Sequence, residues 1–112
     1  MEQLNKFLFK KKILANHWKN FFEKTNNSII KPLPGNKANY WLNSVVLRSK
    51  KDRDKFLNFT NKKGVMTRPV WRLMSELKMF KNCQNDGLKN SFWLQDRVVN
   101  IPSSVPDKFF RV

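Results

Sequence analysis

Leu4, Phe7, Leu8, Leu14, Trp18, Phe21 and Phe22 recur at spacings of three, four and seven. That period gathers them on one side of a helix and predicts a single long helix over residues 2–24. A stripe this bulky needs another layer to cover it. In a chain of 112 residues the core is single and thin, so ten Phe and four Trp must supply much of it, with some left to face a partner. Phe9 and Ile13 fall off the stripe and predict a second apolar surface on the same helix.

Beyond the helix, Thr25 to Ala38 carries Asn26-Asn27 and Pro32-Leu33-Pro34-Gly35 and reads as a loop. Tyr40 to Leu47 has the aromatic and β-branched content of a strand. Residues 50–63 carry full helix punctuation: Ser49 as cap, Asp52 and Asp54 at the positive end, Lys62 and Lys63 at the negative end, and Gly64 for the left-handed exit. Val65 to Trp71 reads as a strand whose Pro69 confines it to an edge or ends it nearby. Leu73, Met74, Leu77 and Phe80 form a short helical stripe, Asn82 to Gly87 a turn, Leu88 to Arg97 a helix and Val98 to Ile101 a last strand. The order implies an α/β or α+β fold with helices packed on a small sheet.

The apolar runs are far shorter than the roughly 20 residues of a membrane span. Lys10-Lys11-Lys12 follow only Phe7-Leu8-Phe9, unlike a signal peptide, so a cytoplasmic location is expected. Cys83 has no partner for a disulfide and reads as an inert thiol, and His17 reads as a surface histidine. CxxC, HExxH, GxGxxG and Walker-type spacings are all missing, which removes the common metal, dinucleotide and phosphate-loop chemistries. The net charge of +15 raises a different possibility, a free-standing module contacting nucleic acid or an anionic surface through Lys6, Lys10, Lys11, Lys12, Lys19 and Lys24. Against it, seventeen of the 23 basic residues are Lys, scattered beside fourteen Asn, whereas specific groove readers favour Arg forks; nucleic acid is not the expected partner.

Two clusters stand out: Asn39-Tyr40-Trp41-Leu42-Asn43 and Thr67-Arg68-Pro69-Val70-Trp71-Arg72-Leu73-Met74. On neighbouring strands they would gather two indoles, an amide and a guanidinium at one end of a sheet, as a rim that orients a ligand or as packing between layers.

These clusters, together with Asp52-Arg53-Asp54 before the helix ending at Gly64-Val65, Met79-Phe80 and Val99-Asn100-Ile101-Pro102-Ser103-Ser104, resemble the C-terminal part of DegT/DnrJ/StrS-type sugar aminotransferases. Within that family the chain looks most like the branch aminating nucleotide-linked deoxysugars in legionaminic-acid-type pathways. Glu2-Gln3-Leu4 with Lys11-Lys12 and Trp18 resembles the helix leading into that small domain, so the likeness covers nearly the whole chain. It implies a small domain over residues 1–112, with residues 1–24 as leading helix and 39–112 as body, of a fold-type-I enzyme that uses pyridoxal 5'-phosphate to move an amino group from glutamate to a nucleotide-linked keto-sugar in surface-polysaccharide synthesis. The family is generally homodimeric. Its cofactor lysine and the aspartate on the cofactor's ring nitrogen lie upstream of the matched region, so no Lys here takes that role and the chain alone is expected to bind no cofactor and to be inactive. The expected relation is a fragment or split product completed by the missing large domain or a full-length subunit, or else a regulatory chain that docks on one. By the resemblance, Trp41 and Trp71 would wall the substrate entrance, Asn43 would donate from its amide, and Arg68 would pair with a diphosphate or a donor carboxylate.

Overall fold

The computed structural model describes residues 2–105. Helix α1, Leu4–Phe22, leads into a four-stranded antiparallel sheet built from β1 (Ser28–Ile29), β2 (Asn43–Val46), β3 (Arg68–Pro69) and β4 (Val98–Ile101), ordered β1-β2-β4-β3. Helix α2, Lys50–Lys62, connects β2 to β3, and helix α3, Lys89–Gln95, precedes β4. This is the helix-on-sheet architecture expected from the order of apolar segments.

Alternation along the two central strands decides where the core lies. Val45 faces Val99 across the β2–β4 ladder and both are fully buried; Asn43 faces Ile101. Leu47, Phe22 from α1 and, at the margin, Trp18, Ile29, Phe56 and Leu57 complete one cluster on that face. The opposite face carries Ser44, Asn100 and Arg68 in register, with the Ser44 hydroxyl donating to Asn100 Oδ1 at 2.7 Å.

Local chemistry explains α2 closely. The Ser49 hydroxyl accepts from Asp52 N at 3.1 Å, and Gly64 leaves the helix at φ +77° while donating to Asn61 O. Its C-terminal turn is tied to the next segment through buried Thr67, whose Oγ1 lies 2.6 Å from Thr60 Oγ1 and accepts from Asn61 Nδ2 at 3.1 Å.

Four sequence expectations change. The first strand begins at Asn43 rather than residue 40, because Tyr40 adopts φ +52° and Trp41 N donates to Asn39 Oδ1, a side-chain turn incompatible with a straight strand. The second strand contracts from 65–71 to Arg68–Pro69; it does lie at the edge, as Pro69 requires. The expected loop over 25–38 contains edge strand β1, so the sheet body starts before residue 39. The stripe at 73–80 forms two separate 3-10 turns, Met74–Glu76 and Lys78–Phe80, divided by an extended Leu77. The end of the expected body, residues 106–112, lies outside the described residues.

The aromatic stripe of α1 docks only in part. Leu14 and Phe22 are buried and Trp18 is half-buried, its indole donating to Pro102 O at 2.9 Å. Leu4, Phe7, Leu8 and Phe21 are exposed, as is Phe9 off the stripe, while Ile13 is half-buried. A helix of 19 residues runs about 28 Å, longer than so short a sheet can cover. Its first turns therefore project beyond the core.

Candidate functional site

The antiparallel exit of β4 and the edge strand β3 bring both sequence clusters to one open cleft of about 830 Å³. Trp41, Arg68 and Trp71 all line it, beside Lys11, Met66 and Pro102. The two indoles are stacked, with ring centroids 6.1 Å apart and planes inclined at 30°, yet 67% and 68% of their surface remains exposed. Stacking between two such rings fixes their geometry without hiding them. They form a flat apolar wall.

Arg68 projects from the sheet face opposite the core and is itself exposed. Among the described residues its contact is Met66 Sδ, 3.8 Å from Nη2, and no carboxylate pairs with it. Other arginines are engaged. Arg53 pairs with Asp54 at 2.8 Å and donates to Gln95 O, Arg97 lies over the Trp93 ring at 4.5 Å, and Arg48 and Arg72 meet Asp52 and Glu76. A guanidinium with open donors beside an indole wall can take an anion attached to a flat or apolar body.

Asn43 stands apart from the other three. It is 6% exposed on the core side of β2, behind the cleft. Its backbone N–H donates to Ser103 Oγ at 2.7 Å and its Nδ2 to the same oxygen at 3.3 Å, while Ser103 donates to Ile101 O at 2.7 Å. The amide expected at the rim thus holds the segment after β4.

Lys11 is the residue that sequence reasoning placed elsewhere. Expected within a basic row on α1, its ammonium instead donates to Ser103 O at 2.6 Å and to Tyr40 O and Trp41 O at 3.3 Å each. The signal was available in the helix period, because residue 11 shares a face with Leu14, Ala15, Trp18 and Phe22, the side that docks on the sheet. The rest of the row does not form a phosphate track: at about 100° per residue, Lys12 and Lys19 lie well round the helix from Lys6 and Lys10, and Lys24 lies beyond the helix end at Phe22. Lys19 also faces Glu23 at 3.9 Å. The basic-module reading is not favoured.

The remaining candidates do not line the cleft. His17 is exposed, with its ring edge-on to Trp18, and Cys83 is exposed in a turn. Among the described residues there is no cluster of His, Cys, Asp or Glu able to hold a metal and no helix long and apolar enough to cross a membrane. Among the described residues Glu23 is the one acid clearly displaced from its usual range: the hydrogen bond from Lys31 Nζ at 3.0 Å is the main cause and, together with the charges of Lys31 and Lys19, outweighs the opposing desolvation and holds its carboxyl below ordinary values.

Comparison with known proteins decides the family. Residues 1–106 match the DegT/DnrJ/EryC1/StrS aminotransferase family. The chain belongs to that family. The fold agrees with solved aminotransferases: TlmJ from Streptoalloteichus hindustanus (TM-score 0.82, 14% identity, 92% of this chain and 28% of that one), PseC from Helicobacter pylori, involved in the biosynthesis of pseudoaminic acid (0.81, 12%, 93% and 29%), and the sugar aminotransferase CalS13 from Micromonospora echinospora (0.77, 19%, 92% and 27%). At such identities the likeness shows the fold alone. No curated protein matches the sequence. The chain spans under a third of the length of those structures.

DegT/DnrJ/EryC1/StrS enzymes are in general pyridoxal-phosphate-dependent, and the cleft can be tested for that group. A pyridoxal phosphate site needs a lysine free to form an imine and a carboxylate for the ring nitrogen. Lys11 is the sole lysine lining the cleft among the described residues, its three donors are occupied by carbonyls, and no Asp or Glu lines the cleft. These residues do not fit the cofactor.

Proposed function

We propose that the chain is the small C-terminal domain of a sugar aminotransferase and forms the outer wall of its substrate entrance, without holding the cofactor. The observation that carries this is the exposed Trp41–Trp71 stack beside Arg68, a guanidinium with no carboxylate partner among the described residues. Family membership supports the amino-transfer chemistry. In this reading the substrate is a keto-deoxysugar linked to a nucleotide, the amino donor is glutamate, and the use is in surface-polysaccharide sugars of the legionaminic-acid type. The indoles supply a flat wall for the sugar or base, and Arg68 binds a diphosphate or a donor carboxylate. Asn43 acts through Ser103 by holding the wall's support in place.

In isolation the chain is inactive, because its cleft lacks the imine-forming lysine and the ring-nitrogen carboxylate. The active assembly draws these from a cofactor-bearing segment or a full-length subunit, arranged as a homodimer in the cytoplasm.

The test is made in an enzyme that carries this domain joined to its cofactor-bearing segment. Arg68→Ala should lower kcat/KM by about ten- to a hundredfold, the equivalent of roughly 1.5–3 kcal/mol for a hydrogen bond to a charged group, with an unchanged melting temperature. A loss confined to stability, with normal kinetics in the folded fraction, would retire the anion-binding role.

A further inference from the structure

We propose that Lys11 is the positioning residue of the substrate wall, setting Trp41 against Trp71 by clamping the backbone on which Trp41 stands. An ammonium has three donors, and here three carbonyls take them: Ser103 O at 2.6 Å, Tyr40 O and Trp41 O at 3.3 Å. Those carbonyls belong to two segments far apart in sequence, the corner before β2 and the exit of β4, while Lys11 itself sits on α1. One side chain therefore joins three elements at the cleft.

The corner needs such a clamp. Tyr40 has φ +52°, a left-handed conformation that a bulky L-residue adopts only when its surroundings hold it. Two contacts do so: Asn39 Oδ1 accepts from Trp41 N at 3.0 Å, and Lys11 gathers the carbonyls of Tyr40 and Trp41. Beyond the corner the Trp41 side chain is 67% exposed, with Trp71 as its stacking partner. Without the ammonium the corner relaxes toward the extended form that its own aromatic sequence favours, and Trp41 leaves Trp71.

The consequence for catalysis rests on the cleft being the substrate entrance; the clamp itself does not. Its test is accordingly made on the full chain with no nucleotide present. Two stacked indoles couple their transitions and give a paired positive and negative band in circular dichroism, which Trp41→Phe and Trp71→Phe should each abolish. Lys11→Met should reduce that signal by half or more while the helical signal and its melting stay close to the parent, and Lys11→Arg, which keeps a cation with several donors, should restore most of it. Full amplitude in Lys11→Met overturns the proposal, as does a loss that tracks unfolding and is not rescued by Arg. A second measurement needs no variant: trace acetylation of the native chain should label Lys11 at least several-fold more slowly than exposed Lys12 and Lys6, and equal labelling overturns it.

Discussion

Replacing Ser103 by Ala probes the joint behind the wall, and its cost can be worked out bond by bond. The Ser103 hydroxyl accepts from Asn43 N at 2.7 Å and Asn43 Nδ2 at 3.3 Å, and donates to Ile101 O at 2.7 Å. Both residues are buried, Asn43 at 6% and Ser103 at 8% exposure, so water cannot easily replace the lost oxygen. The largest cost is the stranded Asn43 N–H, about 1–3 kcal/mol for an unsatisfied buried group. At about 4–8 °C per kcal/mol for a domain near 100 residues, Ser103→Ala should melt roughly 5–20 °C lower. Asn43→Ala, by contrast, keeps the backbone bond and loses only the longer side-chain one, so it should cost about 1 kcal/mol or less from that bond. Circular dichroism melts of both variants and the double variant measure this, and the double should fall short of the sum because the pair shares one oxygen. Equal effects of the two single changes, or strict additivity, would refute the assignment of the backbone N–H as the principal contact.

Reduction of the chain with borohydride after incubation with pyridoxal 5'-phosphate and glutamate should give only scattered, substoichiometric labelling in peptide mapping, with no amino transfer; one stoichiometric lysine with turnover would contradict the inactive reading. Glu23 should titrate below the ordinary carboxylate range in NMR, and Lys31→Met should raise its midpoint. Because the folded value is depressed, the stability linked to this pair is present above the unfolded-state value and fades as pH falls through the folded one, so the parent chain should lose more on acidification than Lys31→Met. Phe9→Lys should leave the melting temperature nearly unchanged, since the ring is 61% exposed, while reducing apolar-dye binding and concentration-dependent self-association.

Where local chemistry suffices, the sequence is legible. Ser49, Asp52 and Gly64 mark α2 by hydrogen bonds closed within the segment itself, and Val98 to Ile101 is a strand to the residue. Pro69 announces an edge because its missing donor is a property of the residue. What escapes depends on partners distant in the chain. Strand β1 is only Ser28–Ile29, and nothing in an Asn- and Pro-rich stretch marks it until Val45 and Val46 pair with it. Tyr40 carries strand-forming chemistry but is turned aside by Asn39 and Lys11. Of the site, Trp41, Arg68 and Trp71 come together, although β4 stands between the strands that carry the two clusters; Asn43 faces the core because it lies two residues from buried Val45, whereas the turn at Tyr40 takes Trp41 off that alternation. Charge alone puts Lys11 in a basic row, whereas its place in the helix period points inward.

The most direct measurement is photo-cross-linking of an enzyme carrying this domain with a photoreactive nucleotide diphospho-sugar, followed by peptide mapping. Adducts are expected on the peptides holding Trp41 and residues 68–71, diminished by unlabelled nucleotide diphospho-sugar and by Arg68→Ala. Adducts that spare both peptides, while the enzyme turns the same substrate over, would contradict the substrate-wall role.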